Sequence, residues 1–84
     1  MPPIKNWKKQ SKAPVGFCYV WEHEETGQKI AVTDKIPNDG YYIFKFEEDE
    51  VVRQGNGDHI GYHHIKKWAK RIAVDEIRNK PEGY

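Results

Sequence analysis

Four histidines, one cysteine and a set of clustered lysines are the side chains best placed to do chemistry in this chain. His59 and His63 stand four apart with His64 adjacent, a spacing at which imidazoles on one helical turn can share a metal ion. Zinc takes four ligands, three or more of them from protein. His23 and Cys18 lie far away in the chain, and there is no Cys-x-x-Cys pair. Neither a metal site nor a cofactor is expected. A histidine acting as general base needs a partner acid or an anion-holding pair, and only Asp58 and Arg53 are near in sequence. The run Gly55-Asn56-Gly57-Asp58-His59-Ile60-Gly61 has glycines but no Gly-Lys-Ser/Thr ending, so nucleotide hydrolysis is unsupported. A strand-to-helix turn with Asp58 as helix cap explains the run. Cys18, between Phe17 and Tyr19, reads as a small buried hydrophobe rather than a reactive thiol. No catalytic set assembles, and the chain reads as a non-enzyme.

The cations carry the stronger signal. Lys66 and Lys70, and Lys67 and Arg71, are each four apart and form adjacent rows on one side of a helix. Lys5, Lys8, Lys9 and Lys12 stand around Trp7 in an N-terminal segment without acids. Cations for phosphates and rings for bases are the ingredients of a nucleic-acid surface. Phosphate contacts are expected from these eight basic residues. Stacking is expected from Trp7 or from an outward-facing sheet aromatic such as Tyr41. The competing reading is a solvated helix face whose cations complement the negative, C-terminal end of the helix dipole.

The net charge of +1 conceals segregation. Residues 1–12 carry four lysines and no acid, residues 13–52 nine acids against three lysines, and residues 53–84 seven basic residues against four acids. The acidic run Glu47-Glu48-Asp49-Glu50 either neutralises the basic segments or leaves a bipolar molecule with local fields that act on partners. A second function class follows: a protein-interaction or homodimerisation module using an aromatic sheet face beside the acidic loop.

The elements that must position these groups can be read from alternation and punctuation. Phe17–Trp21 reads as a strand with Phe17, Tyr19 and Trp21 on one face and Cys18 and Val20 on the other. Glu24-Glu25-Thr26-Gly27 is a turn, Gln28–Thr33 a second strand, and Ile36-Pro37-Asn38-Asp39-Gly40 a second turn. Tyr41–Phe46 reads as the third strand and Val51–Gln54 as a short fourth, with Gly55-Asn56-Gly57 closing the sheet. From about Ile60 the period changes to three and four through Ile65, Trp68, Ala69 and Ile72, joined by Ala73. This predicts an amphipathic helix to about Arg78, ending before Pro81. The expected fold is α+β: a basic arm over residues 1–14, then a three- or four-stranded antiparallel meander with one C-terminal helix across one face over residues 15–84. Ile65, Trp68 and Ile72 are expected against the sheet, facing Phe44 and Val20 or their neighbours. Trp7 is expected to draw the arm back onto the body, because an indole left in water wastes its large apolar area.

Eighty-four residues leave room for one domain. A charged fraction of 32% and the absence of any apolar run near the roughly 20 residues that span a bilayer point to a protein without a membrane segment. The lysine-rich start lacks the apolar stretch of a signal peptide. One cysteine excludes an internal disulfide framework and fits a reducing, cytoplasmic compartment.

The opening Met1-Pro2-Pro3-Ile4-Lys5-Asn6-Trp7, continued through Lys9, Ser11, Lys12 and Pro14, resembles a family of small archaeal, chiefly haloarchaeal, proteins. The resemblance continues weakly through Glu25-Thr26-Gly27, the aromatic third strand and Pro81-Glu82. It implies no activity. This chain lacks the acid-rich composition of the haloarchaeal members, which implies a non-halophilic source. It also lacks the cysteine-rich zinc-binding extension of some members, so the resemblance implies no metal site. The expected sheet-plus-helix arrangement is itself similar to the small domains that read nucleic acid with a three-stranded sheet, as in AP2-type and integrase N-terminal domains.

Overall fold

Alternating β-branched and aromatic residues build the sheet, and turns with left-handed residues fold it into a meander. The computed structural model describes residues 6–84. Five strands, β1 (Trp7–Lys9), β2 (Phe17–His23), β3 (Lys29–Thr33), β4 (Tyr41–Phe46) and β5 (Asp58–His63), pair antiparallel in chain order, and helix α1 (Lys66–Asn79) follows. The β2–β3 turn uses Gly27 at φ +74° and the β3–β4 turn uses Asn38 at φ +61°, conformations that glycine and asparagine tolerate. The α+β class and the C-terminal helix on one sheet face agree with the sequence reading, but the sheet has five strands rather than three or four.

Both additional strands lie outside the expected sheet. Part of the arm forms β1, pairing Trp7 with His23 and Lys9 with Trp21. The residues read as a helix entry form β5, so Asp58 opens a strand and caps no helix. Val51–Gln54, expected as a strand, is instead part of a loop. There the Glu50 carboxylate accepts the backbone N–H groups of Glu47 and Gly57.

A register shift between Phe17 and Tyr19 divides the first aromatic strand between the two faces. Tyr19 and Trp21 join the helix side, while Phe17 turns to the other face with Val20. A bulge admits one extra residue and so reverses the alternation, which simple period-two counting misses. On the helix side, Trp7, Trp21, Ile30, Val32 and Ile43 pack against Ala69, Ala73 and Ile77. On the far side Phe17, Val20, Ala31 and Phe46 are sheltered in part by Ala13 and Val52 from flanking loops.

The helix therefore meets the sheet through Ala69, Ala73 and Ile77, with Ile72 partly buried beside them as expected. Trp68 is 41% exposed and Ile65, just before the helix, 44% exposed, against the expectation that both pack inward. Phe44 and Val20 lie on the opposite sheet face from the helix and do not receive it. Alanines at 69 and 73 let the helix axis approach closely, and a tryptophan on that face would hold it off.

Candidate nucleic-acid interface

Pairing of β1 with β2 places Lys9 across from Trp21, on the helix side of the sheet. The same side of β2 carries Tyr19, and the first turns of α1 run past it. The ammonium groups of Lys9, Lys66 and Lys70 accordingly lie 5.0, 5.5 and 4.9 Å from the centre of the Tyr19 ring. Each is within cation–π range. Arm and helix cations, 57 residues or more apart in sequence, meet over one half-buried phenol, which itself stacks on Trp21 at 5.8 Å.

A second group continues around the helix. Lys67 and Arg71 each approach the Trp68 ring to 5.7 Å. His63 lies 6.4 Å from the same indole and stacks on His64 at 4.8 Å. Its Nδ1 accepts the Ile65 N–H, which fixes the ring at the strand-to-helix junction.

The electrostatics of this end are unfavourable in the free protein. Lys66 and Lys67 open the helix, no acid stands in its first turn, and no side chain caps it. Cations at a helix N-terminus oppose the dipole by about 0.3–1 kcal/mol each. The complementary role at the C-terminal end, offered by the solvated-face reading, falls to Arg78 instead. Among the described residues Lys9, Lys66, Lys67 and Lys70 form no ion pair, whereas Arg71 approaches Asp75 at 3.9 Å. In the acidic loop Glu47 is paired, by Lys45 at 2.6 Å; the same ammonium lies 3.9 Å from Asp58 on β5. Lys45 and Gln28 hold the Glu47 carboxyl below its ordinary range by hydrogen bonding to it.

The other expected contacts are dispersed. Lys8 alternates to the far side of β1 opposite Glu22, and Lys12 is exposed in the loop that follows. Lys5 lies outside the described residues. Trp7 does dock on the body: it is 5% exposed and offers no free ring face. Tyr41 turns toward the helix and packs against the core there. Tyr19 and Trp68 hold the positions beside the cations. The signal for Trp68 was its place between Lys67 and Arg71, in a row too basic to face a core. Tyr19 carried no signal, because its facing depends on the strand irregularity.

Cys18 donates its thiol to the Thr33 carbonyl at 3.3 Å, and burial pushes that thiol up despite the nearby Lys66. It acts as a packing residue. Among the described residues no group of three or more His, Cys, Asp or Glu side chains could hold a metal ion. Among the same residues no helix is long and apolar enough to cross a membrane. No family model, curated protein or solved structure matches the chain.

Proposed function

We propose that this chain is a small nucleic-acid-binding protein that works without catalysis. The reading rests on the convergence of Lys9, Lys66 and Lys70 on Tyr19, extended by Lys67, Trp68 and Arg71. Three ammonium groups around one ring repel each other, and a polyanion would relieve that repulsion while releasing its own counterions. Tyr19 and Trp68 supply ring surface, and stacking contributes about 1–3 kcal/mol per base. With a net charge of +1, binding is modest and falls steeply with salt.

Fluorescence-anisotropy titrations of labelled single- and double-stranded oligonucleotides at low and physiological salt test this. The control changes Lys66, Lys67, Lys70 and Arg71 together to Gln. Binding at low salt that this variant loses supports the reading. No binding at low salt, or binding unchanged in the variant, defeats it and leaves the protein-interaction module.

A further inference from the structure

The sheet face away from the helix carries a different chemistry. Tyr42, Phe44, Ile36, Asp39, Gln54 and Gly55 line an open cleft of about 310 Å³. Its floor is aromatic: Tyr42 and Phe44 lie 6.3 Å apart with their planes tilted by 33°. Tyr62 and His59, on neighbouring β5, lie beside it at 5.0 and 5.3 Å from Tyr42, their rings tilted to it by 52° and 58°. Asp39 stands at the rim, where its carboxylate accepts the Tyr42 hydroxyl at 2.5 Å. Among the described residues Asp39 forms no ion pair.

We infer that this cleft receives the guanidinium group of an arginine presented by a protein partner. A carboxylate without a counter-cation beside the electron-rich faces of two rings selects positive charge and repels phosphate. The floor selects shape. A planar guanidinium needs only one ring face to stack on, Tyr42 or Phe44, and directs its N–H groups outward to the rim. Asp39 accepts there, since its carboxylate has lone pairs beyond those engaged by Tyr42 and Tyr62. This site lies on the opposite sheet face from the lysine cluster and does not depend on the nucleic-acid reading.

Nuclear magnetic resonance of the labelled full chain tests the inference. The probes are a blocked Gly-Arg-Gly peptide, its neutral, planar citrulline counterpart, and an oligothymidylate. The arginine peptide is expected to shift the Gly55 and Gln54 amides and the Tyr42 and Phe44 rings. The citrulline peptide is expected to bind about tenfold more weakly. Asp39→Asn keeps a turn-forming residue and should weaken arginine binding by a similar factor. Phe44→Leu keeps apolar volume but removes a ring face, and should do the same. The quadruple Lys66, Lys67, Lys70, Arg71 to Gln variant should bind the arginine peptide as the wild type does. Equal binding of citrulline and arginine, or full arginine binding by Asp39→Asn or Phe44→Leu, overturns the inference. So do oligothymidylate shifts in the cleft with the arginine peptide inert, which would make it a base platform.

Discussion

The indole N–H of Trp7 donates to the backbone carbonyl of Lys80 at 2.7 Å, joining residues 73 apart in the chain. The neighbouring carbonyl of Pro81 accepts from His23 Nε2 at 2.9 Å and from the Asn6 side chain at 3.0 Å. The Tyr84 N–H reaches the buried Gln28 at 2.8 Å. Strand β1 and the segment after the helix thus hold each other in place, with Trp7 and His23 edge to face at 5.0 Å. Trp7→Ala should cost about 3–5 kcal/mol, as expected for truncating a buried tryptophan. Trp7→Phe should cost less, chiefly through the unpaired Lys80 carbonyl. Chemical denaturation of both variants checks the order, and equal stability to wild type in Trp7→Ala would show the contact to be unimportant.

His23 is fully buried, and its Nδ1 accepts the backbone N–H groups of Glu25 and Thr26 at 3.2 and 3.1 Å. Two donors on Nδ1 leave the ring proton on Nε2, where Pro81 accepts it. Long-range nitrogen–proton correlation spectra should therefore show the neutral Nε2–H tautomer. An Nδ1–H ring would contradict the hydrogen-bond pattern that closes the β2–β3 turn.

Trp68→Ala should behave in the opposite way to Trp7→Ala. With 41% of its surface exposed, Trp68 should contribute little to stability, and its loss should change the unfolding free energy by less than about 1 kcal/mol. Trp7 and Trp21 are almost wholly buried, so Trp68 should dominate quenching of tryptophan emission by acrylamide. Oligonucleotide binding should quench the same component and leave the other two unchanged. Quenching that persists in Trp68→Phe would remove this indole from the interface.

The central strands could be read from the sequence because each obeys a simple rule. Tyr41–Phe46 has the expected bounds, and the turns at Gly27 and Asn38-Asp39-Gly40 lie where turn-forming residues cluster. The errors come from long-range effects. Three residues of β1, two of them lysine, carry no strand pattern and are fixed only by pairing with β2. Gly61 resembles a helix approach locally. In the structure it is the place where a side chain would collide with Ile72, its Cβ falling 2.9 Å from the Ile72 Cγ2. Periodicity set Ile65, Trp68, Ala69, Ile72 and Ala73 on one face, and close packing buried the alanines of that set while leaving Trp68 and Ile65 exposed. For the site, sequence supplied the cations, and the fold decided which rings stand beside them.

Replacing Lys66 and Lys67 with Glu should stabilise the fold and, on the proposed function, abolish oligonucleotide binding. Acids in the first helical turn favour the dipole by about 0.3–1 kcal/mol each, and the change also relieves the crowding of cations around Tyr19. Thermal denaturation should show a raised midpoint in the double variant. A lowered midpoint would mean that the lysines support the helix, and the argument from their unfavourable placement would fail.

Three tyrosines should ionise above the ordinary phenol value. Burial, then the hydrogen bond to Glu76, raises the Tyr84 hydroxyl above the ordinary value of about 10. Tyr42 is raised chiefly by its bond to Asp39, and Tyr62 by burial with a contribution from the same carboxylate. A phenol raised in the folded state leaves stability intact below the unfolded value of about 10. As pH rises past that value the unfolded chain ionises first, and stability falls until the folded phenol also ionises. Ultraviolet titration of the native protein should therefore show Tyr42, Tyr62 and Tyr84 ionising late. Asp39→Asn should bring Tyr42 and Tyr62 back toward the ordinary value without moving Tyr84. Tyr84→Phe should lessen the loss of stability above pH 10. A titration in which Asp39→Asn leaves all three unchanged would contradict the Asp39 contacts at the rim of the aromatic cleft.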